Sequence, residues 1–305
     1  MTPPSTASGE PAAMNSGAPD SQGRSLWQDA MARFRDHRAA MASMWILGAI
    51  TLLAVLVPEF WPNSLDDVNW DYLESPPTTD HFLWFGTDVN GRDMFSRTFY
   101  GARISLAIGV LTTLVALVIG VAYGAIAGYR GGLPGDLMMR LVDVLYSLPA
   151  LFFVIILVTV FGNSFLLIFL CIGAVEWLTL ARIVRGQTLS IKEKEYVQSA
   201  KAAGLSTPAI LLKYIVPNVI GPVIVYVTLL IPINIIVESY LSFLGLGVQE
   251  PYTSWGRLIS QGADEIGNAP WLLVIPASFL AVTLFCFNFI GDGLRDALDP
   301  RDRSR

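Results

Sequence analysis

Two carboxylic acids interrupt otherwise uncharged apolar stretches of this 305-residue chain, Glu176 within 163–181 and Glu238 within 219–241. An ionisable side chain in hydrocarbon is costly, and its default reading is function: it binds something or lines a passage. Glu238, close to the Gly245–Gly247 turn, is placed to attract a cationic group such as an ammonium. A structural bond to a neighbouring helix or to a partner subunit accounts for either acid as well, and the sequence leaves both readings open. Little else supports chemistry. The apolar stretches contain no histidine, so no nucleophile–base pair or metal cluster of an intramembrane enzyme can be assembled there. Cys171 and Cys286 lie alone in apolar runs, and His37 and His81 are far apart, so neither a disulfide framework nor a metal site is indicated. No Gly-Lys pair occurs anywhere, which excludes a phosphate-binding loop and ATP hydrolysis by this chain. A net charge of −5 gives no basic field for nucleic acid.

The elements that must hold the two acids are membrane spans. Hydrophobic residues make up 53% of the chain and charged residues only 15%, against about a quarter charged in soluble domains. A helix needs about 20 apolar residues to cross the hydrocarbon core. Six stretches meet this: 39–57, 104–129, 144–161, 163–181, 219–241 and 271–290. The expected fold is an all-α polytopic bundle of six transmembrane helices. Residues 1–25, rich in Pro, Ser, Gly and Ala, lack an apolar signal core and are too polar to fold. The expected organisation is therefore a disordered tail leading into an interfacial segment over 1–38 and a membrane domain over 39–305. With both termini in the cytoplasm, sixteen of the twenty Lys and Arg residues fall on the cytoplasmic side, as the positive-inside rule demands. Two long outer loops result, 58–103 and 242–270, which read as a lid, a docking surface or solvated linker.

The cytoplasmic segment between spans four and five is the most informative. Residues 193–203 are good helix formers, with Tyr196, Val197, Ala200 and Ala203 on one face. Gly204 is expected to end that helix in the left-handed conformation. Thr207 and Pro208 fit the start of a second helix, as N-cap and first helical residue, and Pro217 marks the approach to the fifth span. A short helix with a small-residue face lets another protein approach closely; an amphipathic connector lying on headgroups is the simpler alternative. In span two, Ala116, Gly120, Gly124 and Gly128 form a small-residue face for close helix packing, expected within the subunit. Pro222 and Pro232 are expected to kink span five.

The segment from Glu195 through Gly204 to Pro217 resembles the coupling loop of bacterial ATP-binding-cassette importer permeases. Ser199-Ala200 stands where the family has Ala-Ala, and Val216 where it has Leu. Gly86-Thr-Asp-Val-Asn-Gly-Arg-Asp93, Ser242-Phe-Leu-Gly-Leu-Gly-Val-Gln-Glu-Pro251 with Ser254-Trp-Gly256, and Gly291-Asp-Gly-Leu-Arg-Asp-Ala-Leu-Asp-Pro300 are similar to further signatures of the oligopeptide/dipeptide/nickel branch. The likeness covers roughly residues 80–300 and is strongest to permeases of the oligopeptide type. It implies a type I importer permease in the bacterial inner membrane, forming half of a peptide pathway that works by alternating access. Glu195, Tyr196, Ser199, Ala200, Gly204 and Pro217 would then seat against an ATPase subunit, and Glu176 and Glu238 would be candidates for the pathway. The implied partners are a second homologous permease, two ATP-binding subunits carrying ATP and magnesium, an extracytoplasmic substrate-binding protein and the bilayer. The chain itself would hold no cofactor. Dipeptides, nickel chelates, opines or glycosides remain alternative substrates. A secondary transporter would need coupling-ion sites on broken helices, and the coupling loop argues against it.

Overall fold

The structure is a computed structural model that describes residues 26–65, 67–162 and 164–298. The tail over 1–25, Asn163 at the start of the fourth expected span and the end of the chain lie outside these residues. Eleven α-helices follow in chain order among the described residues: α1 (Leu26–Asp36), α2 (Arg38–Phe60), α3 (Met94–Arg130), α4 (Gly132–Tyr146), α5 (Ala150–Phe161), α6 (Phe165–Ile191), α7 (Glu195–Ala202), α8 (Thr207–Ile210), α9 (Val216–Phe243), α10 (Trp255–Asp264) and α11 (Trp271–Leu298). A π-helical turn, Leu211–Ile215, joins α8 to α9, so that a helix 37 residues long runs from Thr207 to Phe243. Among the described residues there is no strand, only an isolated bridge between Thr87 and Asp93.

Five helices are long and apolar enough to cross a membrane, and α4 with α5 makes a sixth crossing that is bent by 82°. The expected third span, 144–161, is therefore broken. Leu148 precedes Pro149, whose ring disfavours helical backbone at the residue before it, and α5 with 12 residues is about 18 Å long, too short to cross alone. The two halves of the pair pack toward opposite ends of the bundle, as the halves of one broken span do. Met139 and Val142 of α4 pack with Ala127 near the end of α3. Val154 and Val158 of α5 pack with Ile168 of α6 and Leu241 of α9, at the opposite end.

The small-residue face of α3 packs within the chain, against α6. A Cβ on Gly120 would meet Leu180 at 2.8 Å, one on Gly124 would collide with the Ala181 carbonyl, and one on Gly128 would meet Thr188 at 2.7 Å. This pair is the most extensive helix contact of the molecule. α3 starts ten residues before the expected Ile104, because the two arginines near its start are accommodated. Arg97 is 1% exposed beside Asp88, at 3.6 Å, and Gln261. Arg103 bonds Glu59 and the carbonyls of Ala54 and Val55. Residues 26–36, within the expected interfacial segment, form α1, whose buried Ala30 and Phe34 pack on Ala40 and Ala297. His37 caps α2 by accepting from the Ala40 amide at 3.1 Å, and its other ring nitrogen lies 3.9 Å from Asp296.

Candidate functional site

At one end of the bundle, α7 and α8 form the helix–turn–helix that the sequence foreshadows. Gly204 has φ +82°. The Leu205 amide donates to the Ala200 carbonyl at 3.2 Å and the Gly204 amide to the Lys201 carbonyl at 3.0 Å. These two bonds are the Schellman closure, which satisfies the carbonyls that end a helix and needs a left-handed residue at its centre. The space around a Cβ on Gly204 is open, so the demand for glycine there is conformational rather than steric. Ser206, not Thr207, occupies the cap position of α8, and Pro208 sits in its first turn.

The face of α7 divides differently from the expected one. Val197 and Ala200 turn inward, 2% and 6% exposed, and Val197 packs with Ile210, Ile215 and Val219. Glu195, Tyr196, Ser199, Ala203 and Gly204 stay exposed, and Tyr196 stacks with Tyr214 at 6.4 Å. Ala200 is thus a packing residue of this chain and not part of an open small-residue surface. Pro217 is exposed and does not separate the loop from the span. The helix passes through it, with the Val216 amide reaching back to the Leu211 carbonyl in the π turn. Such a wider turn accommodates a residue without an amide hydrogen. Beside α7 opens a cleft of about 620 Å³ bordered by Tyr129, Arg130, Lys192, Gln198, Lys201 and Pro208.

At the other end, the two outer segments meet over the start of α3. Asp93 caps α3, accepting from the amides of Phe95 and Ser96 at 3.1 Å, and also accepts from Trp61 Nε1 at 2.9 Å. Burial raises its carboxyl from 3.8 to about 6, against the opposing pull of those three donors. Asp88 folds the turn before it, accepting from the Asn90 and Arg92 amides. Thr87 Oγ1 donates to the Tyr72 carbonyl and accepts from the Ser75 amide. Arg92 bonds Glu250 at 3.3 Å and holds that carboxyl below its usual range. Trp255, fully buried, donates from Nε1 to the Thr98 carbonyl at 3.1 Å. The two outer sequence motifs therefore build one clasp. Their partners lie far apart in the chain, a pairing that sequence spacing alone did not reveal.

Glu238 belongs to this clasp. It is 0% exposed and accepts from Ser242 Oγ at 2.7 Å and Ser105 Oγ at 3.2 Å. Ser242 is in turn 3.2 Å from Ser254 Oγ, and the Trp255 amide donates to Ser105 at 3.2 Å. The acid ties α3, α9 and the start of α10 together and lines no open passage in this structure. Glu176 is half-buried and borders a cleft of about 290 Å³ at the elbow between α4 and α5, beside Tyr146, Leu148, Pro149, Phe153 and Thr179. The structure does not bring the two acids into one site.

Comparison with known proteins agrees over nearly the whole chain. Residues 120–304 match the family described as the binding-protein-dependent transport system inner membrane component, and residues 25–77 match the N-terminal transmembrane domain of oligopeptide transport permease C. The chain is 54% identical to the oligopeptide transport system permease protein OppC of Haemophilus influenzae, over 92% of this chain and 91% of the relative. It is 55% identical to OppC of Escherichia coli K12, over 92% and 93%, and 45% identical to the dipeptide transport system permease protein DppC of Bacillus subtilis, over 92% and 87%. With its apolar crossings and these matches, the chain belongs to the family of inner-membrane permease components of binding-protein-dependent transport systems.

Proposed function

We propose that this multi-pass inner-membrane permease forms half of the translocation pathway of an ATP-driven importer of oligopeptides. The observation that carries the substrate class is identity of 54–55%, over 92% of the chain, to permeases of oligopeptide transport systems. A second permease subunit completes the pathway, and two separate ATPase subunits bind ATP and magnesium and supply the energy. An extracytoplasmic binding protein delivers substrate. Both termini and α7 face the cytoplasm, as the distribution of Lys and Arg requires. Glu195, Tyr196 and Ser199, exposed on a helix held rigidly by the Gly204 turn, are the groups offered to an ATPase subunit. Val197 transmits displacement of that helix to α9 through the core it shares with Val219 and Val223. The likeness to a dipeptide permease supports a second reading, in which the cargo is shorter.

The test is reconstitution of the chain with its partner permease, both ATPases and the binding protein in liposomes. ATP-dependent uptake of tri- to pentapeptides is expected, with no hydrolysis by this chain alone. Uptake restricted to dipeptides selects the second reading. Failure to take up any peptide rejects both.

A further inference from the structure

Glu176 stands 11 residues after Phe165 and 15 before Ile191 in α6, roughly 16 Å and roughly 22 Å along the helix axis, and so deep in the membrane-spanning part. An ionised carboxylate only accepts hydrogen bonds, and at such a depth it needs a donor or a cation. Among the described residues no hydrogen bond or ion pair to Glu176 is present. The two arginines of the same helix are already committed: Arg182 bonds Asp143 at 2.8 Å and lies over the Tyr146 ring at 4.2 Å, and Arg185 bonds Asp136. Tyr226 of α9 lies within electrostatic reach of Glu176 without a hydrogen bond to it. The acid borders an open cleft between helices that meet at 82°. Of the aromatic rings there, Phe153 presents a face that favours a cation, while one face of Tyr146 already carries the Arg182 guanidinium. At about 290 Å³ the cleft lies at the lower edge of small-ligand sites, roughly 300–1,000 Å³, which suits one terminal residue rather than a whole peptide.

We propose that the elbow cleft is a transient station on the pathway, in which Glu176 receives the α-ammonium of the passing peptide while Tyr146 and Phe153 flank it. This rests on the reading of the chain as a peptide permease. Glu238 cannot serve, because its oxygens are taken by serines in a sealed junction.

The experiment measures equilibrium binding of radiolabelled trialanine amide and N-acetyl-trialanine amide to the complete permease–ATPase complex in nanodiscs, without binding protein. The ratio of the two affinities is internal to each preparation and does not depend on the fraction folded. The unmodified complex should prefer the free amine by about tenfold, the scale of one desolvated charge contact. Glu176→Gln should abolish the preference and Glu176→Asp should keep part of it. Absence of binding, absence of a preference in the unmodified complex, or a preference that survives Glu176→Gln overturns the proposal. So does loss of the second permease from the Glu176→Gln complex without any ammonium preference in the original, which would make the acid a subunit contact. ATP-driven peptide uptake by the unmodified complex reads the transport assignment separately.

Discussion

Glu238 and Glu176 are chemically identical groups in neighbouring spans, and the molecule surrounds them in opposite ways. Glu238 is closed in by Ser105 and Ser242, in a junction that also contains Ser254 and Trp255. Glu176 faces a cleft with no donor of its own among the described residues. The difference shows that an acid inside a span is not a functional signal until its partners are counted. An acid with its lone pairs occupied holds helices together, whereas an acid left open awaits something from outside the chain. The same division runs through the whole fold. The clasp over the start of α3 is dense and closed, while the α4–α5 elbow and the outer face of α7 are open.

The sharpest way to break this comparison is to remove each acid in turn. Glu238→Ala leaves three serine hydroxyls without their acceptor network and opens a void between α3, α9 and α10. The expected loss is about 3 kcal/mol, from unsatisfied polar groups and a cavity together. Glu176→Ala should stay within about 0.5 kcal/mol, because the half-buried acid gives up no hydrogen bond or ion pair among the described residues. Thermal denaturation of the purified chain in detergent measures both. Equal losses would erase the distinction drawn between them.

A second pair of substitutions applies the comparison to α7. Ala200 is 6% exposed, so Ala200→Trp overfills the chain's own interior and should cost about 2 kcal/mol. Tyr196, 43% exposed on the other side, can be truncated to Ala with little effect on the chain's own stability. If the outer face of α7 is the surface offered to an ATPase subunit, Tyr196→Ala should weaken co-purification of that subunit at matched membrane abundance. A Tyr196→Ala chain that unfolds, beside an Ala200→Trp chain that does not, would reverse the assignment of faces.

Much of this organisation could be read in the sequence, for reasons that particular residues make clear. The spans were legible because continuous apolar runs have few alternatives, and Gly204 was legible because a left-handed helix end favours glycine. The start of α3 was hidden, since Arg97 and Arg103 ended the apolar run, and their partners Asp88, Gln261 and Glu59 are separated from them by up to 164 residues. The inward turn of Ala200 was hidden too. A small side chain satisfies a crowded core and an approachable surface equally, and only the way α7 lies in the fold, with Ala200 6% exposed, decides between them. Pro149 signalled a break, but the apolar content of 144–161 masked it.

The smallest expected effect concerns Asp93, a carboxylate intermediate between the two acids of the spans. It is closed in, as Glu238 is, yet it lies one residue before α3 and keeps a raised pKa of about 6, because burial outweighs its three donors. In the native state the carboxyl therefore holds its proton to higher pH than in the unfolded chain, where 3.8 applies. The native state binds more protons than the unfolded state between these values, so stability falls as pH rises through the window. The contribution is fully present below 3.8 and is lost as pH passes about 6. Between pH 5 and 6.5 the loss should be about 1 kcal/mol. Asp93→Asn keeps an oxygen for the cap of α3 and cannot titrate, so it should flatten the slope over that interval while the helix stays capped. The measurement is the unfolding midpoint of the two proteins at matched ionic strength across the interval. An unchanged slope in Asp93→Asn would place the pH dependence elsewhere in the clasp and leave Asp93 as permanently ionised as an exposed aspartate.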